Sequence, residues 1–249
     1  MARSPGPPSP PPPLILPRGL IFLSSVWLIG SWLLAIGLRQ PVQPSSASYT
    51  PAVREMLLCV TIGLMLGWPL LRLSQTCPPY PIRQTMLDLV VLLGLLQVVV
   101  WPLRLVTNWT PPRTAAIDAT ITGWLLVAGA LVAAAVTTER RGPRVLVMVA
   151  CVAMCLAGPF AAWLGVMSGI DATPLVNLSP LMAVRSLGDG GSIHPTDLHW
   201  RWIALLGFAA IAAWVALLIV QIGRSPETPA EAPAPLTDEA IPADSPSVT

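Results

Sequence analysis

Apolar runs recur along this chain with short polar breaks between them, and six of those runs are long enough to cross a bilayer. A hydrocarbon core about 30 Å thick asks for roughly 20 apolar residues per helix. The pattern predicts spans at 19–38, 55–72, 86–106, 116–137, 145–167 and 202–222. The fold class expected is all-α: a polytopic integral membrane protein with six transmembrane helices whose main partner is the lipid bilayer. Arg18 and Arg39 bracket the first span, which carries Trp27 and Trp32. Pro69 and Arg72 shorten the second, and Asp88, Gln97 and Arg104 interrupt the third. An arginine at the centre of a span costs about 2.5–3.5 kcal/mol, whereas each Leu, Ile or Val returns only about 0.3–0.6 kcal/mol. Asp88 and Arg104 are therefore expected near opposite ends of their helix, and a rise of about 1.5 Å per residue puts them roughly 24 Å apart.

The ends of the chain read differently. Residues 1–17 hold eight prolines, four of them consecutive at Pro10–Pro13. Each proline removes a backbone donor and clashes with the preceding turn, so a disordered Pro-rich arm is expected there. The run also breaks the pattern of a secretory signal, so the first span should stay attached. Residues 224–249 form an acidic, Pro-rich tail with Glu227, Glu231, Asp238, Glu239 and Asp244. Such a composition cannot bury enough apolar surface to offset its ordering entropy. Three units result: a disordered arm over 1–17, a six-helix domain over 18–223, and a disordered tail over 224–249.

Composition sharpens the picture. Hydrophobic residues make up 54% of the chain and charged ones only 10%, with a mean hydropathy of +0.69; a soluble core has no need of this. All 14 basic residues are arginine. Without lysine there is no Walker A phosphate clamp, no Schiff base and no Ser-Lys dyad. The abundance of Ala, Leu, Pro and Arg resembles the product of a GC-rich bacterial genome. Cys59, Cys151 and Cys155 fall in predicted spans and Cys77 in a loop, with no CxxC pair to suggest a disulfide or zinc framework. Net charge over residues 1–224 is +7, suited to anionic headgroups. With the N-terminus inside, the inner segments carry eight arginines and the outer ones six, and the densest cluster, Arg140, Arg141 and Arg144 beside Glu139, is inner. Cell inner membrane, multi-pass, with both termini cytoplasmic, is the expected location.

Candidate chemistry is sparse. Gly63 and Gly67 form a Gly-x-x-x-Gly pair in the second span, and Ala153, Ala157, Ala161 and Gly165 a four-residue repeat in the fifth. Small residues on one face let helices approach in lipid, within one chain or between copies. Pro159 is expected to kink the fifth span. Asp118, at the start of the fourth, together with Gln97 and Arg104 on one face of the third, could line a polar path; paired or snorkelling groups are the plainer reading. His194, Asp197 and His199 offer a His-x-x-Asp-x-His set of metal-competent side chains, although Asp197 is also well placed to cap the last span. Ser168 in Gly165-Val166-Met167-Ser168-Gly169 lacks the glycine two residues upstream that intramembrane serine proteases want. Asn108-Trp109-Thr110 and Asn177-Leu178-Ser179 match a glycosylation sequon on the expected outer side. No catalytic, cofactor or metal-binding residue is assigned, and neither enzyme activity nor a nucleic-acid partner is expected.

The stretch Leu175-Val176-Asn177-Leu178-Ser179-Pro180-Leu181-Met182-Ala183-Val184, followed by a polar loop and a Trp-led apolar span, resembles the end of the membrane subunit of type-2 ABC exporters. That resemblance covers about residues 175–222 plus the six-span topology. It implies a short outer helix before the sixth span, a separate ATP-binding cassette ATPase as partner, two permease copies in a homodimer or heterodimer, and alternating access along the first, second and fifth spans. A proline arm stands where those subunits carry an interfacial helix, and the brief Gln75–Pro81 connection stands where they meet the ATPase. The function expected is a non-catalytic permease subunit; the alternative is a structural or assembly subunit that moves nothing itself.

Overall fold

The computed structural model describes residues 17–38, 43, 45–75, 80–138, 140–169, 178–189 and 194–223. The arm before Pro17, the tail from Arg224, Arg39, the Thr76–Pro79 connection with Cys77, Glu139, and the Leu175–Asn177 part of the resemblance lie outside the described residues.

Seven helices make up the described residues, and no strand occurs among them. They are α1 (Arg18–Gly37), α2 (Ser46–Ser74), α3 (Pro81–Val106), α4 (Pro111–Val136), α5 (Arg141–Ser168), the short α6 (Pro180–Asp189) and α7 (Asp197–Gly223). All but α6 are long and apolar enough to cross a membrane, so the chain is a polytopic bundle of six spans with one short helix added.

Several helices begin before their apolar runs, because caps rather than hydropathy set the boundaries. α2 starts at Ser46 instead of 55: the Ser45 hydroxyl accepts from the Ser48 N–H at 3.2 Å while Ser48 Oγ accepts from the Ser45 N–H at 3.0 Å, a reciprocal capping box. α3 and α4 open on Pro81 and Pro111, whose missing N–H and fixed φ suit the first helical position. At α7 the cap position belongs to Thr196, whose carbonyl accepts from the His199 and Trp200 N–H groups at 3.0 and 3.3 Å. Asp197, expected as the cap, is instead the first helical residue, where its charge complements the positive end of the helix dipole.

α4 is the hub. Of its most apolar stretch 61% is buried, against 11% for α1 and for α7, which places α4 at the centre and those two at the margin. It packs against α2, α3, α5, α6 and α7, whereas α1 rests on α2 and α3. Small residues make this centrality possible. A Cβ on Gly123 would lie 2.8 Å from Leu206 of α7, and one on Gly129 would lie 2.7 Å from Leu89 of α3, so each glycine marks a close helix crossing. Ile117, Ile121 and Leu125 of α4 join Leu57, Leu89 and Leu96 in a fully buried core.

Four buried threonine hydroxyls find partners within their own helices. Thr61, Thr85, Thr107 and Thr120 donate to the carbonyl four residues back, at 2.7–3.0 Å, which satisfies them where water is absent. Indoles link helices in the same way: Trp27 Nε1 of α1 donates to the Cys59 carbonyl of α2 and Trp214 Nε1 of α7 to the Leu126 carbonyl of α4, both at 3.0 Å. α1 ends in a π-wound turn, Leu33–Gly37, and α2 contains one at Gly63–Gly67.

Candidate functional site

The polar architecture of the bundle gathers where α6 is seated, and the seat is built by Pro159. A proline within a helix leaves the carbonyl four residues earlier without its N–H partner. Here that carbonyl belongs to Cys155, and the Ser179 hydroxyl at the entry to α6 donates to it at 3.0 Å. Gly158 makes the approach possible, since a Cβ there would lie 2.4 Å from Ser179 Cβ and 2.7 Å from Met182. α5 remains helical through Pro159 to Ser168; the proline gives α6 a docking point.

The other end of α6 is held by two arginines. Arg113 of α4, only 4% exposed, donates to the Leu187 carbonyl, and so meets an orphan acceptor in the last turn of α6. Arg54 of α2 pairs with Asp189, and its side-chain stem passes over Gly188, where a Cβ would come within 3.1 Å. One short helix is thereby tied to α2, α4 and α5.

Between α4, α6 and α7 lies a recess of about 240 Å³ whose lining includes Thr120, Trp124, Ser186, His199 and Trp202. A larger apolar groove of about 630 Å³ runs between α1, α2 and α3, past Trp27, Gly63, Gly67 and Trp68. A third feature sits toward the opposite ends of α2 and α3. There Arg72 and Asp88 form a buried ion pair at 3.3 Å, with side chains 10% and 3% exposed, and Gln84 Nε2 donates to Asp88 at 3.3 Å. Nearby, Arg144 of α5 donates to the Leu73 and Gln75 carbonyls at 3.4 and 3.1 Å, closing the end of α2.

The residues singled out from sequence divide clearly. Gln97 and Asp118 meet: Gln97 Nε2 donates to Asp118 Oδ1 at 2.7 Å, and Trp101 Nε1 donates to Gln97 Oε1 at 2.7 Å. Arg104 is exposed and lies outside this chain of bonds. Gly63 receives the Trp27 indole, 2.3 Å from where a Cβ would stand, whereas Gly67 faces open space. In α5 Ala161 is buried and Gly165 half-buried, but Ala153 and Ala157 are exposed; the close contact falls on Gly158, outside that repeat. His194 and Asp197 are exposed, and His199 is half-buried with Nδ1 2.6 Å from Thr196 Oγ1. No cluster of three metal-competent side chains forms among the described residues. Ser168 Oγ donates to the Leu164 carbonyl at 2.7 Å.

Sequence reasoning passed over Arg54, Ser179 and Asp189 as contact residues, and it read Arg72 and Asp88 only as interruptions of their spans. The latter pair did leave a signal. Opposite charges near the same end of consecutive antiparallel spans are poised to pair. The Pro159–Ser179 link left none, because apolar periodicity does not specify which residue of the following helix meets a carbonyl that a proline leaves open.

No family model matches this chain, and no curated protein or solved structure matches it.

Proposed function

We propose that this membrane protein is the non-catalytic permease subunit of an ABC-type exporter, working with a separate nucleotide-binding ATPase and a second permease copy. The observation that carries this reading is α6. It is a short helix opening on Ser179-Pro180 immediately before the sixth span, and it is tied into the bundle at both ends. The six-span count supports the same reading. So do the paired π-wound segments in α1 and α2, since such segments recur at functional positions. In this reading both termini are cytoplasmic, the chain sits in the inner membrane, and the ATPase acts on the Ser74–Pro81 and Val136–Arg141 connections. Purification in mild detergent under an affinity tag is expected to recover a nucleotide-binding protein in stoichiometric amount. Repeated purification without one contradicts the proposal.

A second reading, a structural subunit of a membrane assembly, is favoured by a different observation. The polar side chains within the spans bond one another, as Arg72 with Asp88 and Gln97 with Asp118. The same purification separates the two readings, because a structural subunit co-purifies with partners that lack nucleotide-binding activity.

A further inference from the structure

The recess between α4, α6 and α7 has a polarity that follows the membrane normal. At its shallow end stand His199, two residues into α7, and the last turn of α6 with Ser186 and Leu187. Its deep end reaches Ala209, which a rise of about 1.5 Å per residue places roughly 15 Å further along α7, near the middle of a hydrocarbon core about 30 Å thick. Deep within it the Thr120 hydroxyl is already committed, donating to the Ala116 carbonyl at 2.7 Å. A polar group placed there would lose its hydrogen bonds, and a hydrocarbon chain would not. At the shallow end the chemistry changes. Thr196 Oγ1 holds His199 Nδ1 at 2.6 Å, which fixes the ring and leaves Nε2 for a ligand. Behind it the Arg113 guanidinium, bonded to the Leu187 carbonyl, adds a buried positive charge beside the headgroup level. Leu205 on the lip is 58% exposed, so the recess opens sideways to lipid.

We propose that this recess binds one acyl chain of an anionic phospholipid, with the phosphate at the His199 end and the chain running down to Ala209. Its volume of about 240 Å³ suits a single chain, the second remaining in the bilayer. The inference does not depend on the permease reading, since a structural subunit could hold the same lipid.

The test uses the full chain in vesicles of phosphatidylcholine containing either a phosphatidylglycerol or a phosphatidylcholine probe, each with a photoactivatable diazirine partway along one acyl chain. After irradiation, the labelled peptides are mapped. Labelling is expected to concentrate on residues 199–209 and 120–127 relative to the lipid-facing surfaces of α1 and α5, with the phosphatidylglycerol probe favoured about five- to ten-fold: both lipids carry the phosphate that His199 meets, but only phosphatidylcholine brings a choline cation beside the buried Arg113 charge. Ala209→Trp fills the deep end at an exposed position and should remove the excess labelling by both probes. His199→Ala should lower the excess labelling by both probes, since each presents the phosphate that His199 meets, while the buried Arg113 charge keeps phosphatidylglycerol ahead. Labelling spread evenly over α1, α5 and α7 overturns the proposal, as does equal labelling by the two headgroups or an excess that survives Ala209→Trp.

Discussion

Ser179 and Pro159 form the most specific pair in the bundle at the level of single residues. Because the proline leaves the Cys155 carbonyl without a backbone donor, the serine hydroxyl meets a need that exists only in its presence. Ser179→Ala is expected to lower stability by about 1 kcal/mol, the scale of a hydrogen bond in a helical membrane bundle. In a Pro159→Ala background, where an N–H returns to the carbonyl, the same change should cost markedly less. A double-mutant cycle read by unfolding in mixed detergent micelles checks this, and equal costs in the two backgrounds would remove the link. The glycines of α2 offer a second contrast. Gly63→Ala forces the Trp27 indole away from its bond to the Cys59 carbonyl, an overpacking cost of about 1–3 kcal/mol, whereas Gly67→Ala meets open space and should be nearly neutral. Sequence spacing alone treats these two glycines alike. Only the position of a tryptophan on another helix distinguishes them.

Between elements, charge pairing explains how imperfect spans are tolerated. The second and third spans are each broken by a charge, and the structure brings those charges together as the buried Arg72–Asp88 pair. Removing one partner strands the other, so Arg72→Met or Asp88→Leu alone is expected to destabilise by about 3–5 kcal/mol, while the double change should recover most of that loss. Unfolding midpoints of the three variants decide the matter, and additive losses would show that the two residues act separately. Six spans and their order were legible in the sequence, because roughly 20 apolar residues in a row have few other uses. Their starting points were not, since Ser45, Pro81, Pro111 and Thr196 set them through capping outside the apolar runs. The seat of α6 was illegible for the same kind of reason: Ser179, Arg113 and Arg54 act across long stretches of sequence. Gln97 and Asp118 were singled out as a possible polar path and are found bonded to each other, while Arg104 is exposed and stands apart from them.

For the whole molecule, a small-residue hub and an even number of crossings set the architecture. α4 is buried on most sides by close crossings at Gly123 and Gly129, and α1 and α7 stay at the margin with broad apolar faces toward lipid. Filling a crossing should therefore disturb the bundle more than altering a marginal helix. Gly129→Leu is expected to abolish a monodisperse elution profile in detergent, whereas Phe208→Leu, at an exposed position of α7, should leave it unchanged. The arrangement of six antiparallel spans is tested most directly by topology reporters fused at four places: the N-terminus, the Thr107–Thr110 connection, the Thr138–Arg140 connection and the C-terminus. Both termini and the Thr138–Arg140 connection are expected on the cytoplasmic face, with Thr107–Thr110 alone on the other; termini that report from opposite faces would contradict the account.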